Sequence, residues 1–351
     1  MLPAPLMMRA ITRRSPRWWL PMLLLQVVGV AVASCVDRDV EGEGRPEHGA
    51  HADSATAAEG VAAGVSPAGE GAHFVQNVVG FQGPESAKYD AEQDAFFVSN
   101  MAGLGSAKDG NGYISRFSAA TPDSASVFVA GGKNGVVLDA PKGLAIHGDT
   151  LWAADISVLR GFDRHTGAVL ATLDFAPFGA VLLNDVAIGP DGNIYITDTG
   201  IIMGPKGVAH PGPDRIFVVK RGAQIAVAAQ GPQLRRPNGI TWDPVGKRWI
   251  VVSFDPFVGE VAEMPLDMKS RRVIRTGKGQ LDGVEVLPDG RILFTSWADS
   301  SIHLLANGRD RRIIREVPVP ADIGIDTKRH RLAIPMSMLE RVELWNIEGL
   351  R

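Results

Sequence analysis

One residue position recurs along the chain in a setting that would bring oxygen ligands together. Six short segments open with this position, continue with a small residue or Asp, and then run into an alternating apolar strand. The opening residues are Glu85, Lys142, Asn184, Asn238, Asp282 and Ala321. Four of the six carry carboxylate or carboxamide oxygens, and none carries sulfur or imidazole. Such a set suits a hard divalent cation, Ca²⁺ first, with Mg²⁺, Mn²⁺ and Zn²⁺ as alternatives.

The same residues also have a purely structural interpretation. Asn and Asp are common in the turns that precede strands, so Asn184, Asn238 or Asp282 taken singly needs no ligand to explain it. Glu, however, is a poor turn former, and it occupies the position at Glu85. Four oxygen-bearing side chains in one register therefore favour a cation site over four independent turns.

The elements that must position these residues are short strands. The chain contains 40 Gly and 23 Pro, and its apolar stretches alternate without a convincing helical period. After each opening segment a second, more apolar strand is predicted, at 95–100, 151–155, 193–198, 249–253, 291–296 and 331–336. Third and fourth strands follow in most units, such as 215–220 with 224–229. Six four-stranded units of about 45 residues predict an all-β, six-bladed β-propeller.

The two ends of the repeat array complement each other. The sixth unit ends near residues 342–347 with only three predicted strands, and an extra strand is predicted at 74–79, before the first unit. Pairing of this N-terminal strand with the last blade would close the ring and remove an exposed sheet edge. In a propeller the first strand of each blade lines the central channel, so all six opening residues are expected at one mouth of that channel. We call these six residues the mouth register.

Composition excludes several classes of partner and site. The formal net charge is −3 and no basic patch is evident, so no nucleic-acid partner is expected. A single cysteine excludes an internal disulfide framework and any Cys-rich zinc or iron–sulfur site. We expect a monomer whose ligand is a small molecule.

The N-terminal segment has the layout of an export signal. Four arginines precede an apolar run of about 16 residues, which is short for a membrane span. The run ends in small residues at Cys35, which resembles a bacterial lipobox; the alternative is an ordinary signal peptide with an incidental cysteine. The predicted organisation is a lipoprotein signal peptide at 1–34, a lipidated Cys35 with a disordered tether at 35–72, and the propeller at 73–351. This predicts an envelope lipoprotein that faces the periplasm, is held to the membrane by its lipid alone, and has a mild preference for the outer membrane because Val36 follows the cysteine.

Four segments resemble a known family. Pro84-Glu85-Ser86, Asn184-Asp185, Arg236-Pro237-Asn238-Gly239 and Leu281-Asp282-Gly283 are similar, in order and spacing, to the hallmark segments of the senescence marker protein, gluconolactonase and luciferin-regenerating enzyme family. The resemblance covers about residues 75–347. It implies that Glu85, Asn238 and Asp282 ligate one divalent metal ion and that Asn184 lies beside the metal, where it touches water or substrate.

The sequence departs from the sugar-lactone members of that family near the site. They carry an arginine two positions before the asparagine that matches Asn184, and Leu182 stands there in this chain. Two long loops, 101–112 and 199–213, are predicted to overhang the mouth. The second carries apolar residues and His210, either a substrate-binding group or a solvated loop residue. Lys142 is either a substrate-binding cation that offsets the acidic site or a packing residue.

Two functions from different classes follow. The first is a divalent-metal-dependent hydrolase of a lactone or related ester, resembling gluconolactonase, that activates water in the channel mouth. Asp282 would handle the proton, and Asn184 would orient water or substrate. The alternative is a non-catalytic propeller that serves as a binding module on the cell envelope.

Overall fold

The computed structural model describes residues 71–351, which contain 26 strands and two short 3-10 helices. Strand β1 (His73–Val79) comes first. Blade 1 contains β2 (Pro84–Asp90), β3 (Ala95–Asn100), β4 (Tyr113–Ser118) and β5 (Ser126–Ala130). Blade 2 contains β6 (Pro141–His147), β7 (Thr150–Asp155), β8 (Val158–Asp163) and β9 (Val169–Asp174). The first 3-10 helix, Ala176–Phe178, connects blade 2 to blade 3.

Blade 3 contains β10 (Leu183–Ile188) and β11 (Ile194–Asp198), a small hairpin of β12 (Ile202–Gly204) and β13 (Gly207–Ala209), and then β14 (Arg215–Lys220) and β15 (Gln224–Gln230). The second 3-10 helix, Pro232–Leu234, follows. Blade 4 contains β16 (Pro237–Asp243), β17 (Arg248–Ser253), β18 (Val258–Met264) and β19 (Arg272–Lys278). Blade 5 contains β20 (Leu281–Val286), β21 (Ile292–Ser296), β22 (Ser301–Ala306) and β23 (Arg309–Arg315).

Blade 6 combines both ends of the described chain. Its sheet order is β1, β26 (Arg341–Asn346), β25 (Arg331–Met336) and β24 (Gly324–Asp326). Strand β1 pairs antiparallel with β26, from His73 opposite Asn346 to Val79 opposite Arg341. The six four-stranded antiparallel sheets confirm the predicted all-β, six-bladed propeller.

The core lies between the blades rather than within one centre. Six buried apolar clusters each combine residues of two neighbouring blades. Strand alternation decides which neighbour a side chain meets: Tyr195 packs toward blade 4, whereas Ile194 and Ile196 pack toward blade 2. Tyr195 meets the fully buried Trp249 of blade 4 with ring centroids 4.5 Å apart. Burying one such large side chain contributes roughly 1.5–3 kcal/mol, and the interfaces repeat around the ring.

Candidate functional site

The mouth register lies where the inner strands begin. Its first five members are each the second residue of an inner strand, and Ala321 comes shortly before β24. In all five strands the pairing with the second strand is irregular at this point, for example between Pro84 and Ala87 and between Leu281 and Val284. A bulge re-aims the side chain it contains. The same irregularity in five blades therefore gives the five residues a common orientation.

Charged members of the mouth register converge on the channel axis. Glu85 of blade 1 interacts electrostatically with Lys142 of blade 2 and with Asp282 of blade 5. Blades 1 and 5 are separated by blade 6, so their side chains can meet only across the channel. The structure thus brings together three of the residues that the sequence selected.

Two carboxylates of this group are buried and incompletely paired. Glu85 and Asp282 are 6% and 3% exposed, and Glu85 Oε2 and Asp282 Oδ1 have no hydrogen-bond partner. Burial, and then the charge of Asp282, raises the pKa of Glu85 well above its usual value. Burial, and then the charge of Asp322, does the same to the pKa of Asp282. Buried charges normally pair or coordinate metals, so these two oxygens fit a cation ligand set.

The two carboxamides are positioned by threonines of β11 and the residue after it. Asn184 Nδ2 donates to Thr199 Oγ1 at 3.0 Å, and that hydroxyl donates to the backbone carbonyl of Pro237 at 2.8 Å. Thr197 Oγ1 donates to the backbone carbonyl of Asn238 at 2.7 Å. Because the Asn184 amide nitrogen is engaged by Thr199, its carboxamide oxygen faces the other way.

The donor set is poor in carboxylates. Within residues 71–351, no three His, Cys, Asp or Glu side chains are grouped so that they could hold a metal ion. The candidate set instead combines two carboxylates, Glu85 and Asp282, with the carboxamide of Asn238. Oxygen donors without sulfur or imidazole match a hard divalent cation.

A second acidic layer lies next to the mouth register, and sequence reasoning assigned it no role. Asp185 and Asp322 are each one residue beyond a register position, and both are buried. Ser86 Oγ donates to Asp322 Oδ2 at 2.6 Å, and the Ile240 amide donates to Asp185 Oδ2 at 2.7 Å. Burial raises the pKa of Asp322 to about 6. The recurrence of Asp at this repeat position was the available signal.

A cross-channel ion pair was also missed. Lys88 Nζ lies 2.6 Å from Glu285 Oε1, although the residues belong to blades 1 and 5. Each lies three residues after a register position, so the repeat alone would have aligned them. Burial lowers the pKa of Lys88, but Glu285, Asp322 and Asp185 outweigh it and raise that pKa. Lys88 therefore supplies a fixed positive charge to the acidic second layer.

Lys142 is engaged in loop contacts. Its side chain is 2% exposed, and Nζ donates to the carbonyl of Gly105 at 2.6 Å and to the carbonyl of Ala140 at 3.0 Å. Gly105 belongs to the loop at 101–112. The contacts in the structure are thus with backbone carbonyls of this loop and of the approach to β6.

The two loops predicted to overhang the mouth touch each other. The Met203 amide, in β12, donates to Ser106 Oγ at 2.9 Å. We call residues 101–112 and 199–213 the two-loop lid. An apolar cluster at this end combines residues of both loops with residues of blades 2 to 5. Its members are Ala140, Ile156, Leu182, Ile201, Phe254, Met101, Met203 and Trp297.

Leu182 and His210 occupy different parts of this region. Leu182, at the position where sugar-lactone members carry arginine, is fully buried in the apolar cluster. His210 follows β13 and is part-exposed, and its Nε2 lies 2.7 Å from Asp214 Oδ1. Asp214 also accepts the Arg236 amide at 2.9 Å, so His210 is tied to the base of its own loop.

A group of polar residues between blades 4 and 5 resembles a catalytic triad by distance. Ser301 Oγ lies 2.9 Å from His303 Nε2, and His303 Nδ1 lies 2.6 Å from Asp310 Oδ1. A second carboxylate, Asp299, lies 3.2 Å from the same Nε2, and Ser301 donates its hydroxyl hydrogen to it. We call this group, with Arg275 bound to Asp310 at 2.7 Å, the His303 network.

The His303 network is structural. Ser301 is fully buried, His303 is 4% exposed, and Phe294 stacks on the imidazole with ring centroids 4.7 Å apart. Burial alone lowers the pKa of His303, but hydrogen bonds to Asp299 and Asp310 outweigh it and raise that pKa. Ser301 donates its hydroxyl hydrogen to Asp299, and both nitrogens of His303 lie next to carboxylates, so the geometry does not place His303 as a general base for Ser301.

Fold and site together define a six-bladed propeller with an oxygen-lined, carboxylate-bearing channel mouth. The model of the SMP-30/gluconolactonase/LRE-like region matches residues 84–325. The match spans more than half of the chain, which therefore belongs to this family, as the sequence motifs predicted. No curated protein sequence matches the chain.

Solved structures share the fold at low identity. A luciferin-regenerating enzyme is 11% identical with a TM-score of 0.58, covering 80% of this chain and 95% of its own. A gluconolactonase from Xanthomonas campestris is 16% identical with a TM-score of 0.58, covering 80% and 90%. A nidogen/laminin complex contains a chain that is 18% identical with a TM-score of 0.51, covering 66% and 89%. These likenesses show the fold, which therefore occurs both in enzymes and in a protein–protein complex.

The export prediction falls outside the residues that the structure describes. Cys35, the signal peptide at 1–34 and the tether up to residue 70 all precede Gly71. Among residues 71–351, no helix has the length and apolar character needed to cross a bilayer.

Proposed function

We propose that the protein is a divalent-metal-dependent hydrolase of a lactone or related ester. The observation that carries the proposal is the pair of buried, unpartnered oxygens, Glu85 Oε2 and Asp282 Oδ1, in one register with Asn238. Membership of the SMP-30/gluconolactonase/LRE-like family supports the same chemistry. Glu85, Asn238 and Asp282 would hold one cation, with Ca²⁺ as the first candidate.

Each residue then has a distinct role. A divalent cation bound there would polarise a carbonyl oxygen and make a neighbouring water molecule more acidic. Asp282, whose pKa is raised by burial and by the charge of Asp322, would be the group that takes up the proton of the attacking water. Asn184 presents its carboxamide oxygen to water or substrate, because its nitrogen is engaged by Thr199. Glu85 Oε2 and Asp282 Oδ1 are shielded from bulk water, which strengthens their electrostatic interaction with a bound cation.

The walls of the mouth favour an apolar substrate. Met101, Met203, Phe254 and Trp297 belong to the apolar cluster at this end, and Leu182 offers no hydrogen bond where an arginine would. Sugar hydroxyls buried against such groups would lose hydrogen bonds, at roughly 1–3 kcal/mol each. An acyl chain or aromatic ring would gain about 25 cal/mol per Å² buried. Aliphatic or aromatic lactones should therefore be hydrolysed better than gluconolactone.

A substrate panel tests the proposal directly. The purified domain is assayed on aliphatic, aromatic and sugar lactones and on simple esters, with and without Ca²⁺, Mg²⁺, Mn²⁺ or Zn²⁺, after subtraction of spontaneous hydrolysis. Metal-stimulated hydrolysis that is lost in Asp282→Ala but retained in Asp289→Ala, an exposed aspartate of the same blade, supports it. A preference for gluconolactone would contradict the substrate choice. Metal binding without hydrolysis of any member would favour the alternative, a non-catalytic binding module on the envelope.

We further propose that the protein is a monomeric envelope lipoprotein, anchored only by acyl chains on Cys35. The motif that supports this is the apolar run that ends at a lone cysteine. In membrane fractions washed at high salt, the unaltered protein should remain bound and the Cys35→Ala variant should be released. Retention of that variant would contradict lipid anchoring.

A further inference from the structure

The candidate ligands are closed off from solvent. Glu85 Oε2 and Asp282 Oδ1 are buried atoms, although both residues lie at the start of strands, at the channel mouth. Both oxygen atoms are thus out of contact with bulk water. A loop that lies over the mouth can therefore control when a substrate enters.

The two-loop lid reaches the mouth register through the hydrogen bond from Lys142 to Gly105. Its two loops come from blades 1 and 3 and are joined by the hydrogen bond from the Met203 amide to Ser106 Oγ. Met101 and Met203 extend from them into the apolar cluster beside Phe254 and Trp297. The methionines are flexible, unbranched side chains, which suits a contact that must form and break.

Gly105 is the point at which the lid meets the channel wall. A Cβ atom added there would lie 3.1 Å from Met203 Sδ, 3.5 Å from Met101 Sδ and 3.7 Å from Lys142 Cε. The loop backbone thus occupies a narrow space between both lid methionines and the lysine. Any larger residue would have to displace the Met203 thioether.

Lys142 fixes the lid at this point. Its buried ammonium group donates one hydrogen bond to the Gly105 carbonyl, at 2.6 Å, and a second to the Ala140 carbonyl. Both acceptors are neutral carbonyls, whereas Glu85 and Asp282 act on the lysine only through their charges. The placement of a buried cation on a loop carbonyl holds that loop over the mouth.

We propose that Lys142 is a positioning residue that latches the two-loop lid over the mouth register, and that release of the Gly105 carbonyl admits the substrate. The role of the latch in substrate entry rests on the proposed function, but the latch itself does not. The Met203 amide reports its state, because the bond to Ser106 exists only while the two loops touch.

Hydrogen–deuterium exchange of the metal-free domain tests the latch without substrate. Lys142→Met keeps the apolar stem and removes the donors; Lys206→Met removes an exposed lysine of the same lid and serves as the control. We expect exchange in 101–112 and 199–213 to be at least about tenfold faster in Lys142→Met, with the blade strands unchanged and Lys206→Met equal to the unaltered protein. Equal lid exchange in Lys142→Met and the unaltered protein would overturn the proposal.

A second variant covers the case in which Lys142→Met does not fold. Gly105→Val leaves every charge in place, but its two methyl groups extend beyond a Cβ atom that would already lie 3.1 Å from Met203 Sδ, 3.5 Å from Met101 Sδ and 3.7 Å from Lys142 Cε. The loop must therefore move away from the lysine, and exchange at Met203 should become faster in the same way. Unchanged exchange in this variant would also overturn the latch. The exchange and hydrolysis measurements separate the two proposals. Hydrolysis together with unchanged lid exchange in both variants would contradict the latch but not the proposed function. Faster lid exchange without hydrolysis of any substrate would contradict the proposed function but not the latch.

Discussion

The channel mouth and the His303 network are two buried clusters of charged residues that differ in how completely their carboxylates are paired. In the His303 network each carboxylate has a partner: Asp310 binds both His303 and Arg275, and Asp299 binds His303 and Ser301. At the mouth, Glu85 Oε2 and Asp282 Oδ1 have none. Uncompensated buried charge costs several kcal/mol, so a fold retains it where something else completes the site.

The difference shows which geometry signals function. Serine, histidine and aspartate at hydrogen-bond distance look catalytic, yet in this protein they form a saturated ion network between two blades. The channel mouth has fewer hydrogen bonds, and two of its buried carboxylate oxygens have no partner. The missing partners, rather than the contacts present, mark the candidate site, and the following experiments test that distinction.

The largest effect is expected within the His303 network. Asp310→Ala leaves the buried His303 and Arg275 without their shared carboxylate, and should lower the free energy of unfolding by about 3 kcal/mol, the lower end of the range for broken buried pairs. Chemical denaturation measures it. Asp267→Ala, an exposed aspartate paired only with Lys269, is the control and should have little effect. A loss below about 1 kcal/mol in Asp310→Ala would mean that the network does not stabilise the blade interface.

Removal of a mouth carboxylate should act on metal affinity instead. Asp282→Ala should weaken Ca²⁺ binding roughly 100-fold or more, equivalent to about 2.7 kcal/mol, because a charged ligand is lost. Calorimetric titration measures the affinity, with Asp289→Ala as the matched control. In metal-free protein, Asp282→Asn should not lower the melting temperature, since it removes an uncompensated charge. Unaltered Ca²⁺ affinity or a clear loss of apo stability would erase the contrast between the two regions.

The third prediction concerns pH. The pKa of His303 is raised above its ordinary value of 6.5. The network's contribution is therefore fully present below about pH 6.5 and is lost as the pH rises through the folded-state pKa, with a limiting slope of about 1.4 kcal/mol per pH unit. Unfolding free energies of the unaltered protein and His303→Gln, compared from pH 5 to 9, should converge as the pH rises. A difference that grows with pH would have the wrong sign.

The smallest effect is expected at the cross-channel pair. Lys88 and Glu285 have 23% and 18% of their side-chain surface exposed, so solvent screens part of their attraction. Glu285→Gln should cost about 1 kcal/mol or less. It also removes one of the three acids near Lys88 while Asp185 and Asp322 remain. Denaturation at low and high salt measures this, and a cost that does not fall with added salt would argue against a screened pair.

Most of the fold could be predicted from the sequence because the strand pattern repeats six times. The predicted strands at 95–100, 331–336 and 215–220 match β3, β25 and β14, because a period of two and flanking turns are local signals. The recurrent first position also located the mouth register, because equivalent positions of a propeller meet at one axis. Glu85 and Asp282 lie 197 residues apart in the chain and still interact.

Contacts that do not repeat could not be predicted. Ser301 and His303 share one face of β22 and could have been aligned by alternation, with Asp299 in the turn before it. Asp310 and Arg275, however, reach them only through the pairing of neighbouring strands. Lys142 shares the mouth register, yet its partner Gly105 lies in a loop with no periodic signal. The sequence therefore predicted the features that recur in every blade, and the structure was needed for the contacts that occur in one blade only.

The pairing of β1 with β26 delays the completion of blade 6 during folding. Strand β1 cannot pair until residues 341–346, more than 260 residues further along the chain, have been synthesised. Until then blade 6 lacks β26, the strand that joins β1 to β25, and the Phe96 face of blade 1 lacks the Leu344 side chain that covers it. A chain shortened before residue 341 would therefore leave two blades incomplete rather than one. Such a chain would expose the unpaired edges of β1 and β25 at the same time, which would make it prone to proteolysis and aggregation.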